Sequence, residues 1–202
     1  MKKNKVFTIA IVVLIVALAV SVWQNINSSM ERVHARQYLL NAVFHNLVNT
    51  SSELDKLVSF IENNDVNDAM KRDTILDVSD YLVKADTLLT QYQYSTSAGL
   101  NYGGQSTFAF ISYTLCYGQG ALNDLSWDGI LRDDIISENE FAYLTALRDD
   151  ISLVIISMTS ADDQFNENKN LTISQLNSIL RDFFDKWTYH NENSPYFLLE
   201  SE

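Results

Sequence analysis

Met30 to Glu62 reads MERVHARQYLLNAVFHNLVNTSSELDKLVSFIE. Val33, Leu40, Leu47, Leu54 and Ile61 recur every seven residues, and Val43, Phe44, Leu57 and Val58 fill the same face. A strand alternates in twos. Sevens filled at three and four are the period of a helix that buries one stripe. The stretch therefore predicts a helix of a bundle or coiled coil. Thr50-Ser51-Ser52 interrupts the stripe, and a bend or break would fall there. Asn63-Asn64-Asp65 ends it, with Asp65 placed to cap the next helix.

Upstream lies VFTIAIVVLIVALAVSVW, Val6 to Trp23, without a charge. As a helix it spans about 27 Å, close to the ~30 Å hydrocarbon core of a bilayer. Trp23 falls where an interfacial aromatic is expected, and the basic MKKNK before the span keeps the N-terminus in the cytoplasm. The alternative is a signal peptide cleaved near Ala19, since Ala17-Leu18-Ala19 fits an A-x-A site. Against cleavage, the apolar run continues to Trp23, and neither Gly nor Pro breaks it before the site. Either reading exports the rest of the chain. The expected location is the cell membrane, single-pass, with the bulk outside.

Downstream, Ile75, Val78, Leu82, Ala85, Leu89 and Tyr92 alternate threes and fours, as an amphipathic helix requires. Gly99, Gly103 and Gly104 mark a turn. A third helix is expected over Ser106–Leu125, closed by Trp127-Asp128-Gly129. Ser137-x-x-Glu140 and Thr172-x-x-Gln175 are capping boxes that open a fourth and a fifth. The fourth carries Phe141, Leu144, Ile151, Ile155, Met158 and Phe165, and the fifth Leu176, Ile179, Leu180, Phe183 and Trp187. The run Ile151–Met158 is too short for a second span. Ser194-Pro195 and the acidic residues after it read as a loose tail.

One Pro and six Gly among 202 residues leave little turn chemistry for an all-β fold. The expected class is all-α, an N-terminal transmembrane helix followed by an extracytoplasmic bundle of four to five helices. The expected divisions are a basic N-terminus (1–5), a signal-anchor helix (6–23), an exported bundle (24–190) and an acidic tail (191–202).

Lys2, Lys3 and Lys5 precede the first acid, Glu31, so the chain after Trp23 holds 11 basic and 26 acidic groups. Such a surface repels phosphate backbones, and nucleic-acid binding is not expected. One cysteine excludes an intramolecular disulfide framework.

The charge pattern singles out one region. No residue from 87 to 123 is charged, and this stretch holds five of the ten Tyr and five of the six Gly. On a helical wheel Phe108–Leu122 forms three stripes: aliphatic (Phe108, Ile111, Leu115, Leu122), small (Ala109, Ser112, Cys116, Gly120) and aromatic (Phe110, Tyr113, Tyr117). A helix without a charged face is expected to be buried on all sides. The functional reading makes Tyr92, Tyr94, Tyr102, Phe110, Tyr113 and Tyr117 an interaction surface. Charge depletion with Tyr enrichment is the composition of interface cores, and Tyr with Ser, Gly, Asn and Gln gives adaptable contacts.

Catalytic and metal constellations fail one by one. His34 and His45, eleven apart, stand about 16 Å from each other on a helix and cannot share an ion. Adjacent carboxylates such as Asp149-Asp150 diverge by about 100° on a helix. Asp73, Asp77 and Asp80 read as a solvated face. Asn63-x-Asp65-x-Asn67 begins like a calcium loop but has Asp68 where Gly is required and Thr74 where Glu is required. Cys116 sits among small and apolar residues and reads as a small hydrophobe. No cofactor, metal or enzymatic activity is expected. The expected role is protein interaction or self-assembly at the membrane, with a small-molecule or ion-binding bundle as the alternative, a ligand cavity then lying beside Phe110, Tyr113 and Tyr117.

Overall fold

The computed structural model describes residues 2–63, 67–95, 106–122, 125–132, 135–160, 163–188, 191 and 193–199. Among these, helix α1 runs Lys2–Glu62, α2 Asp68–Ser95, α3 Thr107–Tyr117, α4 Glu138–Met158 and α5 Ile173–Lys186. Two small antiparallel hairpins are inserted, β1 (Gly118–Leu122) with β2 (Leu125–Asp128), and β3 (Thr159–Ser160) with β4 (Asp163–Glu167). The chain divides into two units within α1, Met1–Tyr38 and Leu39–Glu202.

The first unit is helical throughout its described length. Its side chains from Ile11 to Trp23 are exposed, and α1 is the one described helix long and apolar enough to cross a membrane.

The second unit is the bundle. Most of the stripe read from the sequence is its core: Leu40, Val43, Phe44, Leu47, Leu54, Leu57 and Val58 of α1 are buried, as are Ile75, Val78, Leu82, Ala85 and Leu89 of α2, whereas Ile61 is partly buried and Val33, in the first unit, is exposed. The helix does not break at Thr50-Ser51-Ser52. Thr50 Oγ1 donates to the Asn46 carbonyl at 2.9 Å, and Ser51 Oγ meets Ser152 Oγ of α4 at 3.2 Å, so both hydroxyls are satisfied without leaving the helix. Asp65 lies outside the described residues. The described cap of α2 is Asn67, whose Oδ1 accepts from Met70 N at 2.9 Å.

Both capping boxes form. Glu140 N donates to Ser137 Oγ at 3.2 Å and Ser137 N to Glu140 Oε2 at 2.8 Å. Gln175 N donates to Thr172 Oγ1 at 3.2 Å and Thr172 N to Gln175 Oε1 at 2.9 Å.

Three expectations are corrected. Helix α3 ends at Tyr117 rather than Leu125. Gly118 takes φ 71°, where a side chain is disfavoured, and the chain turns into the β1–β2 hairpin. Gly120 and Leu122 therefore leave the helical wheel. Helix α4 ends at Met158, and Phe165 lies on β4. The tail expected from residue 191 is not loose at 194–199. Ser194 caps a short 3-10 turn, Pro195–Leu198, through Tyr196 N, and Pro195, Tyr196 and Leu199 are buried. An aromatic cluster holds it: the Tyr196 ring lies 5.2 Å from Phe110, 5.8 Å from Trp187 and 5.9 Å from Tyr143.

Candidate functional site

Helix α3 owes its orientation to α2. Ser106 at its N-terminus makes no side-chain cap. Asp86 of α2, buried, accepts from Ala109 N at 3.2 Å instead, supplying an anionic acceptor to the first turn. It stands 23 residues before Ala109 in sequence and is the last charge before the uncharged stretch. Ser79 Oγ and Ser112 Oγ meet at 2.6 Å and tie the two helices again. The small stripe thus faces α2, which permits close approach. Behind it, Leu131 N donates to the Leu115 carbonyl at 3.0 Å as the chain returns from the hairpin. Gly129 is required at that crossing, because a Cβ there would come within 2.6 Å of Tyr117 N and 2.7 Å of the Cys116 carbonyl.

With small residues against α2 and Phe108, Ile111 and Leu115 in the core, the third stripe has one direction left. Phe110 is half-buried against Tyr196. Tyr113 and Tyr117 point outward, 50% and 59% exposed, with ring centroids 5.2 Å apart. The helix is therefore not buried on all sides. It lies at the bundle surface, and its charge-free outer face meets solvent. Leu76 and Val83 of α2 are exposed as well. They stand three residues before and four after Ser79, and so share its side of α2, beside α3.

Of the six residues expected to form the surface, Phe110, Tyr113 and Tyr117 share one helix and two of them are free outward. Tyr92 and Tyr94 fall on the last turns of α2. Tyr102 lies outside the described residues.

A second polar centre escaped the sequence reading. On α4, Asp149 points out and pairs with Arg148 at 2.8 Å, while Asp150 points in. The buried Asp150 carboxylate accepts from Lys186 Nζ at 2.8 Å and from Trp187 Nε1 at 2.8 Å. These partners stand 36 and 37 residues away in sequence, so no local motif announces them. A groove of about 360 Å³ runs here between α4 and α5, lined by Asp150, Leu153, Val154, Ser157, Ile179 and Lys186 among others. Phe110, Tyr113 and Tyr117, the expected cavity lining, do not line it.

Other charges do local work. Lys84 binds Asp80 on the exposed side of α2, and this hydrogen bond holds its ammonium above the usual lysine range. The same holds for Lys56 with Glu53 on α1. Burial pushes the Tyr143 phenol well above the usual tyrosine range. Among the described residues no three His, Cys, Asp or Glu side chains converge to hold a metal ion. Comparison with protein-family models, curated proteins and solved structures gives no match for the chain.

Proposed function

We propose that the chain is a single-pass, membrane-tethered helical bundle held outside the cytoplasm, and that it acts by binding another protein through the outer face of α3. The observation that carries this reading is the exposed Tyr113–Tyr117 pair. The bundle is acidic overall, yet α3 keeps a neutral aromatic strip open, flanked by Leu76 and Val83. Two large, rigid, amphipathic rings give contact area at low entropic cost. The partner that fits is a protein with a neutral apolar patch, since a charged one would lose hydration against these rings without gaining a counter-ion. The tether supports weak binding by holding both proteins in one membrane plane. The basic MKKNK and the uncharged span support the outward topology. A second reading, a bundle that takes a small molecule, has the α4–α5 groove as its support.

The test is a photoreactive amino acid placed at Tyr113 or Tyr117 in intact cells. The reading expects a discrete protein adduct at both positions and none at Arg181, exposed on α5. Equal labelling at Arg181, or no adduct at either tyrosine, contradicts it. Protease added to the same cells removes the bundle if it is outside, and full protection contradicts the topology.

A further inference from the structure

Among the described residues, the part of α1 that follows the apolar span carries an exposed apolar stripe. Ile26, Met30 and Val33 are 53%, 54% and 43% exposed. Their spacing of four then three continues, through Gln37, into Leu40, Phe44 and Leu47, which the bundle buries. The polar residues Asn25, Ser28 and Arg32 fall on the opposite side. In heptad terms Trp23 and Met30 are a positions, and Ile26 and Val33 are d positions.

We propose that residues 23–34 pair in parallel, in register, with the same segment of a second copy of this chain. The proposal rests on the membrane-anchored reading and is independent of the tyrosine face.

Three observations select a second copy as the occupant. An a/d stripe accepts another helix by interlocking side chains. Chains anchored by the same span present the same stripe at the same height and in the same direction, so a parallel, in-register pair follows from the tether alone. Charge selects the contact zone. From residue 39 onward the chain holds 9 basic and 25 acidic groups, so bundle surfaces repel one another. Residues 24–38 hold only Glu31, Arg32 and Arg36. Across a parallel seam the flanking positions place Ser29 of one copy toward His34 of the other, with no like-charge contact. The seam is under two heptads long, short of the three to four that sustain a coiled coil unaided. Pairing therefore depends on confinement in the membrane, where the local concentration of a tethered partner is high.

The test uses the full chain in native membranes. Cys116, buried, is replaced by Ser so that single cysteines report alone. They are placed at Ile26, Met30 and Val33 on the seam, and at Asn25, Ser28 and Arg32 opposite it. After mild oxidation, disulfide dimer is expected at the seam positions at roughly five times or more the yield of the outer ones. In a second set, Met30→Glu with Val33→Glu is expected to reduce the Ile26→Cys dimer to the outer-face level. Equal yields at all six positions overturn the proposal, as do no dimer, an adduct of another size, or a dimer indifferent to the two glutamates. Fractionation separates the two readings. Recovery of the parent chain outside the membrane overturns the anchor and this pairing with it. Recovery in the membrane without a seam pattern overturns the pairing alone.

Discussion

The outer face of α3 and the seam between α4 and α5 treat charge in opposite ways. Helix α3 belongs to a stretch with no charged residue, yet Tyr113 and Tyr117 stand in solvent. The α4–α5 seam holds an aspartate and a lysine, yet Asp150 is buried. The difference lies in what each position can be offered. Asp150 receives a half-exposed ammonium and an indole N–H, which together repay its desolvation. Tyr113 and Tyr117 lie on the one side of α3 that neither α2 nor the core reaches. Exposure follows the partners the fold supplies rather than the polarity of the residue.

That comparison is broken most directly at Asp150. Asp150→Ala leaves the buried Trp187 N–H without an acceptor and is expected to cost about 1–3 kcal/mol in a denaturant titration. Its neighbour Asp149, exposed and paired with Arg148, is the control, and Asp149→Ala is expected to cost under about 0.5 kcal/mol. Similar losses for the two would mean that the inward aspartate is not the centre described.

The next effect reads the aromatic cluster beside that seam. Tyr143 is buried and its phenol is held above the usual range by desolvation. In the unfolded chain a tyrosine ionises near pH 10. Below that value both states keep the proton and nothing changes. Above it the unfolded state binds fewer protons than the native one, so stability falls as pH rises, by up to ~1.4 kcal/mol per pH unit for this group. Tyr143→Phe is expected to reduce the slope above pH 10 by that amount. An unchanged slope would show that the ring reaches water in the native state.

The sequence made the helices legible because their signals are local. The seven-residue stripe and the two capping boxes each lie within one element and mark the helices expected, and the uncharged span is helical as part of α1. What was not legible depends on distant partners. Nothing near Asp150 in sequence indicates Lys186 or Trp187. Nothing near Ser194 indicates that Tyr196 fits among Phe110, Tyr143 and Trp187, so the segment read as a tail. The end of α3 was misplaced because hydrophobic period alone does not record that Gly118 takes a positive φ. The candidate surface was half legible. Charge depletion located the stretch, but which stripe faces outward was decided by Asp86, Ser79 and Gly129, contributed from outside it.

The smallest expected effect is the sharpest for the α3 face. Tyr113→Arg and Tyr117→Arg each put a cation on an exposed helical position, where substitution changes stability by within about 0.5 kcal/mol. Thermal unfolding of the bundle should therefore stay close to the parent. Phe110→Arg, one stripe-mate away, forces a charge against Tyr196 and should destabilise strongly. If the two tyrosine variants also unfold the bundle, the rings are part of its packing and the face is closed. If they fold while the photo-adduct at the remaining tyrosine disappears, the rings serve a contact outside the chain. A neutral surface maintained on so acidic a protein then has its physical reason: a cation there repels nothing within the bundle, and what it removes is the dry, uncharged contact on which the partner depends.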